Sequence, residues 1–175
     1  MKIEPLELAG AALLREAAHE DERGGFERLY CDVAFRAAGL PSLGVQVNFS
    51  TNYVRGTLRG LHSQAPPSQE AKLVRCTGGR IYDVIIDLRP SSSTYLRWCA
   101  AELSADGPSL LVPSGCAHGF LTLEDATSVL YLMGDVHCPD LAFGIRWDDP
   151  LFAVSWPLQP TIVSTRDLNY PDYLA

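Results

Sequence analysis

Lys72-Leu73-Val74-Arg75-Cys76-Thr77-Gly78-Gly79-Arg80-Ile81-Tyr82-Asp83-Val84-Ile85-Ile86-Asp87-Leu88 decides the fold class. It holds two runs rich in β-formers, Lys72–Cys76 and Arg80–Leu88, and Gly78-Gly79 stands between them as a turn signal. The same rhythm continues on both sides. Upstream lie Leu43–Phe49 and Thr57–Leu61; downstream lie Tyr95–Leu103, Leu110–Val112, Ala117–Leu123 and Ser128–Met133. Arg89-Pro90-Ser91-Ser92-Ser93, Asp106-Gly107-Pro108 and Pro113-Ser114-Gly115 separate them with turn chemistry. Many short strands at close spacing predict a mostly β sandwich or barrel. One short helix is predicted, with Asp32 as cap, Val33–Ala38 as body and Gly39 with Pro41 as its stop. Leu6–His19 reads two ways: its Ala, Leu and Glu favour a helix, and an opening strand also fits. Pro150, Pro157, Pro160 and Pro171 make the C-terminal stretch an extended tail that wraps the barrel.

The chain has 175 residues, the size of one domain spanning 1–175, and 47% apolar content is enough to bury a core. The net charge of −7, with no block of Lys or Arg, argues against nucleic acid. An anionic ligand would need a local cluster of basic side chains. The N-terminal MKIEPLELAG lacks the apolar core of a signal peptide, and no apolar run is long enough to span a membrane. Five widely spaced cysteines without a C-x-x-C pair favour reduced thiols in the cytoplasm over disulfides or a zinc site.

His62 lies in a predicted strand, within Arg59-Gly60-Leu61-His62-Ser63-Gln64. A lone strand histidine is more often a satisfied core or surface residue than a functional one, so its weight comes from its company. Arg59 is three residues away, an odd spacing that puts it on the opposite face of a regular strand. The strand must therefore be irregular if both serve one pocket. Ala65-Pro66-Pro67-Ser68 supplies the turn of a hairpin that would bring Lys72 to His62. Pro113-Ser114-Gly115-Cys116-Ala117-His118 looks like the second motif of cupins, P-x-G-x-x-H. The first cupin motif carries H-x-H, and here that place reads His62-Ser63-Gln64. His62, His118 and Glu70 are a poor donor set for a transition metal, so the segment reads as a cupin without metal.

Taken together, these blocks resemble the dTDP-4-dehydrorhamnose 3,5-epimerase family of the cupin superfamily. The matching stretches run in order from Asp21-Glu22-Arg23-Gly24 and Gln46-Val47-Asn48 through the His62 block and Lys72-Leu73-Val74-Arg75. They continue with Tyr82–Arg89, Pro113–Phe120, Leu130-Tyr131, Gly144–Pro150 and Ser164-Thr165-Arg166-Asp167. The resemblance implies a cupin-type jelly-roll barrel, a homodimer in which an N-terminal strand crosses to the partner, and a nucleotide-diphosphate sugar as substrate. It implies inversion at C3, C5 or both of a 4-keto-6-deoxyhexose, without a cofactor, in deoxysugar biosynthesis. It implies His62 as base, Asp167 as the carboxylate that orients it, Tyr131 as acid on the opposite face, and Lys72 beside the enolate. Arg23, Phe26, Gln46, Asn48, Arg59, His118, His137 and Arg166 are implied to hold the nucleotide sugar or line the pocket. The residue types suit the chemistry, since His titrates nearest neutral and a cation favours an enolate. No G-x-G-x-x-G is present to suggest a redox cofactor.

The chain also departs from the family. Leu132 stands where a Lys commonly follows the catalytic Tyr, and Val136-His137 replace a Tyr-Tyr pair. That leaves open whether one carbon or two are inverted. Gly25-Phe26-Glu27-Arg28 keeps one aromatic where the family has two, so a CDP- or GDP-sugar stays open beside the dTDP-sugar. Two other functions compete. A metal-dependent cupin would use His62 and His118, and a binding homologue would keep the pocket without catalysis.

Overall fold

The computed structural model describes residues 1–174. The chain opens with β1 (Lys2–Pro5), β2 (Ala12–Arg15), β3 (His19–Asp21) and β4 (Gly24–Phe26), followed by α1 (Asp32–Ala37). The barrel strands are β5 (Gln46–Asn52), β6 (Thr57–Gln64), β7 (Lys72–Gly78), β8 (Arg80–Asp87), β9 (Trp98–Ser104), β10 (Ser109–Val112), β11 (Cys116–Thr122) and β12 (Thr127–Met133). The short β13 (Ala142–Gly144), β14 (Ile162–Val163) and α2 (Thr165–Leu168) close the chain.

Two sheets face each other, as a cupin-type jelly roll requires. One runs β1-β2-β10-β7-β12-β5; the other runs β13-β6-β11-β8-β9, with β14 added in parallel to β6. Between them lies a core of Val74, Cys76, Ile81, Ile85, Leu110, Val112, Phe120 and Val129, all 1% exposed or less. Both sheets are also covered outside, which is why β7 and β8 read as near-continuous apolar runs rather than alternating ones. Phe35 of α1 caps the outside of the first sheet with Leu14, Leu73 and Leu111. Ile145, Phe152, Trp156 and Tyr173 cover the second, over Leu61, Val84 and Ile86. The proline-rich tail therefore does wrap the barrel, and it ends in the single turn α2 before its last described residues.

One open reading is settled and two local expectations change. Within Leu6–His19 the strand reading holds over Ala12–Arg15, because β2 pairs with both β1 and β10 and sheet pairing overrides the helical propensity of its Ala and Leu. The helix cap is Cys31, without a side-chain bond; Asp32 lies in the first turn, where it accepts from the Tyr30 hydroxyl and pairs with Arg36. The link from β6 to β7 is not a hairpin. It crosses from one sheet to the other, so His62 and Lys72 come to opposite walls of the barrel.

The irregularity demanded by the Arg59–His62 spacing is present. His118 pairs with His62 but Phe120 pairs with Arg59, a one-residue bulge in β6. Gly60 forms it at φ +122°, and a Cβ there would stand 2.5 Å from the Cα of Gly119. Only glycine fits both the conformation and the contact.

Candidate active site

The mouth of the barrel encloses a cavity of about 310 Å³, lined from both sheets. That is the lower end of the range for small-molecule sites. Nine of the twelve site residues expected from sequence line it: His62, Tyr131, Asp167, Lys72, Asn48, Arg59, His118, His137 and Arg166. Gln46 stands just behind, donating to Asn48 Oδ1 at 3.0 Å and accepting from the His137 backbone N–H at 3.1 Å. Arg23 and Phe26 lie outside this pocket, on the exposed β3–β4 hairpin. There Arg23 forks onto Asp21, with its Nε 3.1 Å from each carboxylate oxygen.

On the wall built by β6, His62 Nε2 lies 2.7 Å from Asp167 Oδ1. Asp167 is buried, and its second oxygen accepts from the Gly60 backbone N–H at 3.3 Å. Burial alone would raise its carboxyl, but the hydrogen bond and charge of His62, with the Gly60 and Ser164 bonds, outweigh that and hold it below the ordinary carboxylate value. Asp167 is thus an anion fixed behind an imidazole that is itself open to the cavity, with 44% of its side chain exposed.

On the facing wall, β12 presents Tyr131 opposite Asn48 of β5. Burial first, and the charge of Asp83 second, push the Tyr131 phenol well above its ordinary value, against a smaller lowering by Arg59. The phenol therefore keeps its proton at neutral pH. His62 and Tyr131 sit on opposite walls, so a ligand between them has one on each face.

The floor holds two buried polar pairs. Lys72 pairs with Glu70, whose other oxygen accepts from Gln64 at 3.2 Å. Asp83 is wholly buried, and its carboxylate straddles His118 Nε2 at 2.8 and 3.0 Å, with hydrogen-bond geometry only to Oδ2. Burial raises the Asp83 carboxyl, and His118 offsets this in part. His118 stands edge-on to Tyr131, ring centroids 6.1 Å apart.

Sequence reasoning passed over Asp83 and the partnership of Gln64 and Glu70 with Lys72. Asp83 interrupts an otherwise apolar strand, which is itself a signal, since a buried charge must have a partner. Glu70 precedes Lys72 by two residues, the spacing of one strand face. Among the described residues, no three His, Cys, Asp or Glu side chains gather to hold a metal ion.

The sequence model of the dTDP-4-dehydrorhamnose 3,5-epimerase family matches residues 5–174. The chain belongs to this family. It is therefore an epimerase, and so an isomerase. A dTDP-4-dehydrorhamnose 3,5-epimerase of Sinorhizobium fredii is 38% identical over 98% of this chain and 89% of its own. The crystal structure of dTDP-4-dehydrorhamnose 3,5-epimerase from Bacillus anthracis, with TDP and PPi bound, is 38% identical and superposes with a TM-score of 0.92, covering 97% of this chain and 98% of that one. ChmJ, a 3'-monoepimerase from Streptomyces bikiniensis in complex with dTDP-quinovose, is 30% identical with a TM-score of 0.88, covering 96% and 86%.

Proposed function

We propose that this epimerase takes a dTDP-linked 4-keto-6-deoxyglucose and inverts its C3 and C5 carbons. The observation that carries the reading is the His62–Asp167 pair, 2.7 Å apart, across one cavity from a protonated Tyr131. His62 removes the proton beside the ketone, and Asp167 favours the imidazolium that results. Charge passes to the ketone oxygen, where Lys72 and His118 stabilise the enolate. Tyr131 returns a proton from the other wall, and the carbon is inverted. Arg59 and Arg166 at the rim, with Gln46, Asn48 and His137, hold the diphosphate and nucleotide. The TDP in the Bacillus anthracis relative supports the thymine nucleotide.

A second reading, inversion of one carbon, is favoured by His137 at the pocket mouth in place of an aromatic, and by the likeness to a 3'-monoepimerase. The substrate in deuterated water separates the two by proton NMR. Loss of both the C3 and C5 signals is expected. Loss of one names a monoepimerase, and loss of neither overturns the dTDP-sugar reading, with CDP- and GDP-sugars as the next substrates.

We also propose a homodimer. On β5 the inner face is polar, with Gln46, Asn48 and Ser50, while outward Val47 and Phe49 are 58% and 61% exposed. Apolar side chains on the outside of an edge strand mark a surface that another chain covers. Arg23 and Phe26 then serve the partner's pocket rather than their own. Five free thiols support a reducing, cytoplasmic setting.

A further inference from the structure

Asp167 sits on α2, a helix of four residues, too short to hold its own position. Upstream it is tied by two residues of β14, Ile162 and Val163, paired with Thr57 and Leu58 of β6. Downstream the chain continues as a strap over the second sheet, and two residues outside the pocket fasten it. Arg146 donates Nη1 to the Tyr170 carbonyl at 3.3 Å and places Nη2 2.7 Å from Asp172. Asp149, 1% exposed, accepts the Tyr173 backbone N–H at 2.7 Å and the Leu151 N–H at 2.9 Å. The Tyr173 ring then packs on Phe152, centroids 5.6 Å apart.

The fastened strap reaches the base directly. Gly144 of β13 pairs with His62, and its missing side chain lets the Tyr170 ring lie over it. From there Tyr170 presents an edge to the His62 ring at 6.2 Å. Lifting the strap would leave the buried Asp149 carboxylate short of a donor, so the closed position is the favoured one.

We infer that Arg146 and Asp149 are positioning residues that latch the C-terminal strap and thereby hold Asp167 in contact with His62. This rests on His62 and Asp167 acting as base and orienting carboxylate. Neither latch residue lines the cavity. Their loss therefore acts through α2, on turnover through Asp167 and to a smaller degree on substrate binding through the neighbouring Arg166.

The test compares Arg146→Gln, Arg146→Lys, Asp167→Asn and the Arg146→Gln/Asp167→Asn pair, by steady-state kinetics on dTDP-4-keto-6-deoxyglucose. Displacing a catalytic group by about 1 Å can cost up to about 100-fold, so Arg146→Gln is expected to lower kcat roughly tenfold, with a smaller rise in KM through Arg166. Arg146→Lys recovers part of the loss, because an ammonium still reaches the Tyr170 carbonyl or Asp172. In the double variant Arg146→Gln adds nothing to the loss from Asp167→Asn, because both act through one contact. Full kcat in Arg146→Gln, or losses that multiply in the double variant, would overturn the latch. Full activity in Asp167→Asn would overturn the base-pair reading and the latch with it. If Arg146→Gln does not fold, a chain ended after Asn169 keeps α2 and Asp167 while removing every strap contact, and the same kinetic pattern is required of it.

Discussion

An imidazole alone can exchange a proton but cannot invert a carbon. In the proposed reaction His62 takes and returns protons on one face of the sugar; inversion needs a donor on the other, and Tyr131 is the protonated group on that wall. The two steps come apart in Tyr131→Phe. In deuterated water this variant is expected to carry deuterium into the sugar while epimer formation falls by about 100- to 10,000-fold. Epimer formed at the parent rate would remove Tyr131 from the role of acid. That His62, Tyr131 and Asp167 share one pocket was legible in the sequence only through ordered resemblance, since a strand Tyr or a tail Asp has common structural uses. Their mutual distances were not legible. They come from three segments, and nothing local in the sequence of β12 states that it faces β6.

At the scale of elements, the barrel strands were readable, β5 included although much of it is exposed, and the short exposed strands near the N-terminus were not. β7, β8, β11 and β12 carry apolar patterns because both sheets press on them. The hairpin of β3 and β4 is exposed at every residue, so no alternation marks it. The loop after β8 shows what turn residues do beyond turning. Asp87, wholly buried, gathers Arg89, Ser92 and Thr94, with Arg89 also reaching the Ala9 carbonyl. Burial would raise its carboxyl, but these bonds outweigh burial and hold it far below its ordinary 3.8. A carboxyl lowered on folding adds stability above its unfolded value and loses it as pH falls toward the folded one. Asp87→Ala is therefore expected to cost about 2–3 kcal/mol at pH 7. In urea titrations, the gap to the parent should narrow below about pH 4. A gap that stays constant to pH 2 would mean the charge is not what the loop uses.

The whole molecule explains the one mismatch between the expected site and the observed pocket. Resemblance groups Arg23 and Phe26 with the substrate residues, yet they stand on a hairpin that packs against no wall of their own cavity, and Phe26 is 73% exposed. A lone chain has no reason to leave that ring in water, nor to carry Val47 and Phe49 outward on an edge strand. Two chains do, if each hairpin completes the other's pocket across paired β5 edges. Oligomeric state and activity should then change together. Sedimentation is expected to give about twice the chain's 19.1 kDa. Phe49→Glu, a change at an exposed residue that does not line the pocket, should yield monomers that lose activity. Mixing it with an Arg23→Ala variant should restore activity only as far as mixed dimers form, because the Phe49→Glu chain still carries an intact Arg23 hairpin for its partner's pocket. A monomeric Phe49→Glu at full activity would mean that the pocket works without the hairpin and that Arg23 and Phe26 belong only to the surface.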